Sequence, residues 1–236
     1  MTRLFELVAK PLATVLTPDA FLGGLRIMAI DGTVFDVPET PTNARVFGYP
    51  GSPKGTYPAF PKVRLVFLVE VGTHLIIDAF CSPYRMGERR NALKLLRSLD
   101  SSMLLMWDRG LHSFKMVHAV IKQLGHFLGR VPANVKFEVV KTFPDGSYKS
   151  WIAPDGESKK KGAKRIPVRI IEYVIEENGT PKTYRLITDL MDITKFPALI
   201  LAKEYHQRWE AENTLDELKI HLWDGKFLFV LKIPVK

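Results

Sequence analysis

The chain carries a single cysteine, Cys81, in 236 residues. That excludes an internal disulfide framework and a zinc site built on several thiolates, and it fits a reducing compartment. Cys81 itself reads as a small buried hydrophobe rather than a nucleophile. Histidine offers no metal set either, because His112 and His118 are too far apart for a one-turn pair and His206 reads as a bystander. No apolar run approaches the roughly 18 residues of a membrane helix. The best stretch, Val63 to Val71, is broken by Arg64 and Glu70, and Glu6, Lys10 and Pro11 interrupt any signal-peptide pattern at the start. Acidic residues are in deficit: 34 Lys+Arg stand against 25 Asp+Glu, leaving a net charge of +9. Such a field favours a polyanionic partner, most simply nucleic acid. What the chain does have, 46% hydrophobic and 11% aromatic residues, is enough for a substantial core in one or two domains.

Along the chain, strands come first, then helices, then strands again, then one strong helix. Leu25 to Ile30 reads as a buried strand stopped by a turn at Asp31-Gly32. A long loop from Pro38 to Pro61 follows, with six prolines and three glycines. Val63 to Val71 and His74 to Phe80 read as a hairpin joined at Gly72-Thr73. Glu88 to Leu99 reads as a helix with Leu93, Leu96 and Leu99 toward the core. Met103 to Trp107 is a second buried strand ending at an acid, Asp108-Arg109-Gly110. Ser113 suits the N-cap of a helix ending at Leu124-Gly125, with the glycine just past its end. His126 to Val131 is a further strand. Residues 137–188 then read as an all-β insertion forming its own sheet: Phe137 to Phe143, Tyr148 to Ile152, Val168 to Ile175 and Tyr184 to Thr188, with turns at Asp145-Gly146 and Asn178-Gly179. Pro197 to about Leu222 is a long helix.

That order is the order of an α/β, ribonuclease H-like mixed sheet with flanking helices, interrupted by an all-β insertion before the last core helix. In such a sheet, acids at the ends of the first and fourth strands and on the late helix meet, and those places hold Asp31, Asp108 and Glu212. Three carboxylates without a thiol or imidazole cluster suit hard divalent cations. The bland alternative is that each acid merely ends its element. The helix sharpens the case. Tyr205, Arg208, Glu212 and Lys219 are spaced by 3, 4 and 7 residues. At about 100° per residue they fall in roughly a 60° arc, one polar stripe beside an apolar one of Ala211, Leu215, Leu218 and Leu222. An acid flanked on one face by arginine, lysine and tyrosine suits a phosphate backbone, and ordinary helix ion pairs are the alternative.

Tyr205-x₂-Arg208-x₃-Glu212-x₆-Lys219 resembles the signature of bacterial DDE transposases of the insertion sequence four family. Asp31 in Ala29-Ile30-Asp31-Gly32-Thr33 and Asp108 in Trp107-Asp108-Arg109-Gly110 are similar to that family's first and second catalytic acids, and the β-rich insertion is a shared feature. The resemblance covers about Leu25 to Leu222. It implies a cut-and-paste DNA transposase, a polynucleotidyl transferase whose Asp31, Asp108 and Glu212 bind two Mg²⁺ ions, with Mn²⁺ as a substitute. Water, then a DNA 3′-hydroxyl, attacks phosphodiesters at transposon ends. Tyr205, Arg208 and Lys219 hold the DNA strand, and Trp151, as the tryptophan of the insertion, stacks on a flipped base unless it is a core residue. Lys159, Lys160, Lys161, Lys164 and Arg165 form a basic loop, either solvated or adding salt-sensitive DNA affinity.

The expected partners are double-stranded DNA, both terminal inverted repeats and target, and a second copy in a synaptic dimer. No membrane is involved, and the expected place is the bacterial cytoplasm, on the nucleoid when DNA-bound. The domain reading is 1–24 an N-terminal remnant, 25–136 the first part of the catalytic core, 137–188 the insertion, 189–222 the final core helix and 223–236 an atypical tail. Only about 30 residues precede Asp31, and the tail WDGKFLFVLKIPVK does not continue the helix. The chain therefore reads as truncated at both ends, and the competing expectation is a non-catalytic DNA-binding remnant. A ribonuclease H-like nuclease cutting RNA in a hybrid is disfavoured, since it gives no reason for the four-residue signature.

Overall fold

Apolar runs without polar alternation form strands only where both faces of a sheet are covered, and the runs starting at residues 25, 63 and 103 do so here. The structure, a computed structural model, describes residues 2–50, 60–154, 162, 164–177, 179–206 and 208. The elements are α1 (Thr2–Val8), β1 (Phe21–Leu22), β2 (Leu25–Asp36), α2 (Pro41–Phe47), β3 (Lys62–Glu70), β4 (Leu75–Pro83), α3 (Glu88–Leu95), β5 (Met103–Trp107), α4 (Phe114–Lys122) and β6 (His126–Arg130). They continue with β7 (Lys141–Thr142), β8 (Tyr148–Ile152), β9 (Ile166–Glu177), β10 (Thr180–Thr188) and α5 (Ala198–His206).

The described strands make one sheet in the order β4-β3-β2-β5-β6-β10-β9-β8-β7, with β1 added beside β2. β2, β3 and β4 are antiparallel neighbours, whereas β5 and β6 run parallel to β2. Two antiparallel strands on one side of a central strand and two parallel strands on the other give the ribonuclease H-like core. Side chains alternate across the sheet. Met28, Ile30, Leu105 and Trp107 pack on one face with Ala92 and Leu95 of α3 and Val117 and Val120 of α4. Ile27, Ala29, Leu104 and Met106 pack on the other with Leu201 and Tyr205 of α5.

Several sequence expectations are corrected. Asp31-Gly32 is not a turn. β2 runs on to Asp36 because Asp31 to Asp36 pair in register with Phe67 to Lys62. The proline-rich loop contains α2, started by Thr40, whose hydroxyl accepts from Asn43 N at 3.1 Å, with Pro41 in the first turn where its missing N–H costs nothing. Leu124, at φ +63°, takes the left-handed position after α4 that was expected of Gly125, while Ser113 does cap α4, accepting from Met116 N. The helix begun at Glu88 gives way to a 3₁₀ turn at Leu96–Ser98. Cys81, on edge strand β4, is exposed rather than buried. Its thiol is nonetheless pushed up by its surroundings, which keeps it protonated.

The insertion's strands do not form a separate sheet. β10 pairs with β6 through Leu186–Arg130, Ile187–Gly129 and Thr188–Leu128, so the core sheet continues into them. Leu186 and Ile187 are fully buried there, and the pairing covers what would otherwise be an open edge on β6. Of the strand expected over 137–143, only Lys141–Thr142 is one.

Two buried features lock this sheet. Trp107, fully buried, stacks on Phe127 with ring centroids 5.3 Å apart. Beside it stands Gly129, where a Cβ would lie 2.1 Å from the indole. Farther along, fully buried Arg169 of β9 donates to Ser147 Oγ at 2.8 Å, Leu190 O at 3.1 Å and Phe196 O at 2.7 Å, and pairs with Asp145. Asp145 Oδ2 also accepts from Ala198 N at 2.9 Å, the first residue of α5. The turn residue Asp145 thus ties the insertion to α5.

Two predictions follow from these locks. Gly129→Ala is expected to lower stability by about 1–3 kcal/mol or more through overpacking against an indole with no room to move; an unchanged Tm would show that the indole yields. Asp145→Ala is expected to cost roughly 3–5 kcal/mol, because it leaves a buried guanidinium without its counter-charge. Burial alone would raise the Asp145 pKa, but hydrogen bonds from Ser147 and Ala198, and then the Arg169 charge, hold it below its usual 3.8. A depressed carboxylate pKa contributes stability that is present at neutral pH and lost as pH falls through the folded value. The Tm of the wild type should therefore fall more steeply than that of Asp145→Ala on acidification below 3.8; parallel curves would remove Asp145 from this role.

Candidate active site

β2 and β5 pair in parallel with Ala29 opposite Met106. Carried two residues on, that register sets Asp31 level with Asp108. Alternation puts Asp31 in step with Ile27 and Ala29, and Asp108 in step with Leu104 and Met106, which is the face covered by α5. Both aspartates are half-buried. Each ties its Oδ1 to nearby backbone: Asp31 accepts from Gly32 N at 2.8 Å, and Asp108 accepts from Gly110 N at 2.8 Å and Leu111 N at 3.2 Å. The second is an Asx turn that bends the chain away directly after β5. Oδ2 of Asp31 lies 3.6 Å from Arg208 Nη1.

α5 brings the arginine. Its sheet-facing stripe is Ala198, Leu201, Ala202 and Tyr205, all buried, at the i, i+3, i+4, i+7 spacing of one helix face. Tyr205 therefore lies in the packed stripe, only 4% exposed, and its hydroxyl donates to Trp107 O at 3.2 Å, at the end of β5 beside Asp108. Burial pushes the Tyr205 phenol up to about 12, so it stays a donor. Arg208 follows by one turn and is also buried, with Asp31 as its ion-pair partner. Expected as one stripe, Tyr205 and Arg208 are brought together over the carboxylates. Glu212 and Lys219 lie outside the described residues.

Sequence reasoning missed Glu88. Its carboxylate, from the first turn of α3, reaches the strand at Gly32, where a Cβ would come within 2.9 Å of it. Burial raises its pKa, and the charges of Asp31 and Asp108 raise it further, against Arg64 at 3.7 Å. Three carboxylates thus share one electrostatic neighbourhood. No local signal marks it: an acid in the first turn of a helix is ordinary, and only the fold brings it to Gly32. Among the described residues, no group of three or more His, Cys, Asp or Glu is spaced to hold a metal ion. The donor set nevertheless fits a hard cation, because the groups facing each other are carboxylate oxygens.

The remaining expected residues lie elsewhere. Trp151 is half-buried on β8 with the Lys149 ammonium 5.4 Å from its ring centroid, and it belongs to no described core cluster. Lys164 and Arg165 are exposed, and Lys164 Nζ stands 2.7 Å from His118 Nε2. Lys159, Lys160 and Lys161 lie outside the described residues. His206 packs edge-on against Tyr173, Tyr184 and Tyr205. No helix among the described residues is long and apolar enough to cross a membrane.

Fold and site together define a class: a ribonuclease H-like domain with aspartates level on adjacent parallel strands and a helix packed over them that leads to Arg208. Within that class the chain belongs to the Transposase DDE domain family, whose sequence pattern matches residues 22–227. It is 24% identical over 209 residues to the transposase InsG for insertion sequence element IS4 of Escherichia coli, covering 86% of this chain and 46% of that protein. To the putative transposase InsZ of the same organism it is 27% identical over 121 residues, covering 50% of this chain and 40% of the other. The chain thus spans less than half the length of these relatives. The piggyBac transposase in its synaptic complex with hairpin DNA aligns with a TM-score of 0.47 at 14% identity, over 82% of this chain and 40% of that one.

The one acid of α5 carries a testable consequence. Glu204 is partly buried beside Asp19, and burial first, then that charge, pushes its pKa from 4.5 up to about 7. A raised carboxyl pKa favours the folded state at low pH, and the advantage is lost as pH rises from the unfolded value through the folded one. Glu204→Gln is expected to raise stability at pH 8 by about 1 kcal/mol, after discounting for solvent screening, and to change nothing below pH 4.5. Thermal melts at the two pH values check it; equal effects at both would assign the gain to packing.

Proposed function

We propose that this chain is the catalytic domain of a DNA transposase that cleaves phosphodiesters at transposon ends and transfers the resulting 3′-hydroxyl end to target DNA. The observation that carries the reading is the parallel register setting Asp31 level with Asp108, with Arg208 on Asp31, in a member of the Transposase DDE domain family. Sequence spacing supports Glu212 as the third acid, since it follows Tyr205 and Arg208 by 7 and 4 residues, the spacing of one helix face.

Asp31, Asp108 and Glu212 would hold two divalent ions, Mg²⁺ or its substitute Mn²⁺. When bound, such ions lower the pKa of an attacking water or hydroxyl and neutralise the leaving oxygen. The protein's own groups orient the substrate. Arg208 offers a planar fork for a phosphate, and its burial strengthens the contact. Tyr205 fixes the end of β5 through the Trp107 carbonyl, and so fixes Asp108. Lys219 adds a further positive charge for the strand's phosphates, and Trp151 with Lys159, Lys160, Lys161, Lys164 and Arg165 adds DNA contacts from the insertion. The partners are the terminal repeats and target DNA, with a second copy in the synaptic complex, in the bacterial cytoplasm.

Glu212→Gln should abolish Mg²⁺-dependent strand cleavage while keeping DNA affinity, because it removes the charge that holds an ion and keeps the side chain's size. Arg208→Ala should weaken DNA binding by roughly 1.5–3 kcal/mol, the worth of a charged hydrogen bond, and reduce cleavage with it. Lys219→Ala should do the same more mildly. A labelled terminal-repeat duplex and a Mg²⁺ titration decide. Full cleavage by Glu212→Gln would overturn the assignment at its central residue, and a wild type that binds but never cuts would mark a DNA-binding remnant.

A further inference from the structure

Between α3 and α4, beside the carboxylates but separate from them, lies a cleft of about 760 Å³. α3 contributes Arg89 and Arg90 to its lining, the start of α4 contributes Ser113, Phe114 and Lys115, and Pro154 stands at the insertion side. Among the described residues, no carboxylate lines it. Arg90 and Lys115 are exposed, and among the described residues neither has an ion-pair partner. Like charges held around one open cleft repel each other, and an anion relieves that repulsion.

The two ends of the cleft say what shape of anion fits. At one end, Arg89 Nε donates to the carbonyl of Gly110, two residues beyond Asp108. At the other, the Phe114 ring stacks on His118 with centroids 5.8 Å apart, and His118 Nε2 stands 2.7 Å from Lys164 Nζ. A line of cations therefore runs from the loop of the second aspartate to the basic segment of the insertion. Cations stand on both walls, Arg89 and Arg90 on α3 and Lys115 on α4, so a polyanion lying along the cleft meets charge from each side. Phe114 and Pro154 supply apolar wall for sugar faces.

We propose that this cleft is a track for the DNA phosphate backbone as the strand passes from the catalytic carboxylates to the insertion, with Arg90 and Lys115 on successive phosphates. The proposal rests on the DNA-transposase reading above and assigns to it a surface apart from Arg208.

The test uses the full chain, a chelator to remove divalent ions, and a fluorescent mixed-sequence DNA duplex titrated across salt. Each phosphate contact contributes about 0.9 to the log–log salt slope. The double substitution Arg90→Gln with Lys115→Gln should flatten the slope by about 1.8 and weaken binding at low salt by tenfold or more. The charge-keeping pair Arg90→Lys with Lys115→Arg should retain the slope. In the wild type, which sidesteps any folding defect of the variants, bound duplex should protect the Lys115 amine from acetylation. An unchanged slope, or a Lys115 equally reactive with and without bound duplex, overturns the track while leaving DNA binding by the domain intact. Protection of Lys115 by polyglutamate but not by duplex also overturns it and gives the cleft to an acidic protein segment. A wild type that binds no duplex overturns the transposase reading, and the track with it.

Discussion

The parallel pairing of β2 with β5 is the constraint on which the site depends. A parallel pair cannot be closed by a short turn, so the chain between the two strands must cross over, and it does so through β3, β4 and α3. Both faces of such a pair must be covered, which places α3 and α4 on one side and α5 on the other. Register does the rest: Ala29 opposite Met106 leaves Asp31 and Asp108 level, on the α5 face. A slip of one residue would turn either acid toward the opposite face. The fixed points on either side of the pair resist such a slip. Trp107 is wedged against Gly129 and Phe127, and the six pairs from Asp31 to Asp36 bind the far half of β2 to β3.

α5 is held by polar contacts as well as by its apolar stripe. Arg169 and Asp145 are a buried ion pair, and such pairs rarely stabilise more than apolar residues of the same volume would. What distinguishes this one is how many segments meet on it. Asp145 belongs to the β7–β8 turn, Arg169 to β9, the accepting carbonyls of Leu190 and Phe196 to the link after β10, and Ala198 N to α5. An apolar substitute could fill the space but could not fix four backbone segments by direction. The insertion, continuous with the core sheet through β10 and β6, is thereby coupled to the helix that carries Tyr205 and Arg208. Its geometry and that of the site are one problem.

The core strands were legible in the sequence because runs such as Met103 to Trp107 are apolar at every position, which only a doubly covered strand requires. The helix start at Ser113 was legible because a capping hydroxyl has one local function. What failed were features decided by partners distant in sequence. Asp31-Gly32 has the composition of a turn, yet β3, some 35 residues on, keeps it extended. α2 lay hidden in a segment whose prolines suggested a loop. The left-handed residue after α4 is Leu124, a choice that glycine preference does not anticipate. Tyr205 was grouped correctly with Arg208 by spacing, but the same spacing could not say that this face turns inward. Glu88 escaped notice because nothing near it in sequence announces chemistry; only the fold carries α3's first turn to the ends of β2 and β5.

The electrostatics of the site then order the proposed reaction. Burial first, and then the charges of Asp31 and Asp108, raise the cost of ionising Glu88, and Arg64 offsets only part of it. A bare phosphodiester approaching these carboxylates would meet like charge in a half-buried setting, where screening by water is weak. Divalent cations reverse the sign of that field, so in the proposed chemistry the DNA strand is accepted by a site already neutralised. The arginine that balances Asp31 in their absence is the same group expected to take a phosphate in their presence, which makes Arg208 a partner in both steps rather than a simple clamp. In the proposed reading, the net charge of +9 and the basic cleft supply the field that would draw DNA to the surface. In the same reading, the three carboxylates form an acidic pocket that would hold off a scissile phosphate until their charge is offset.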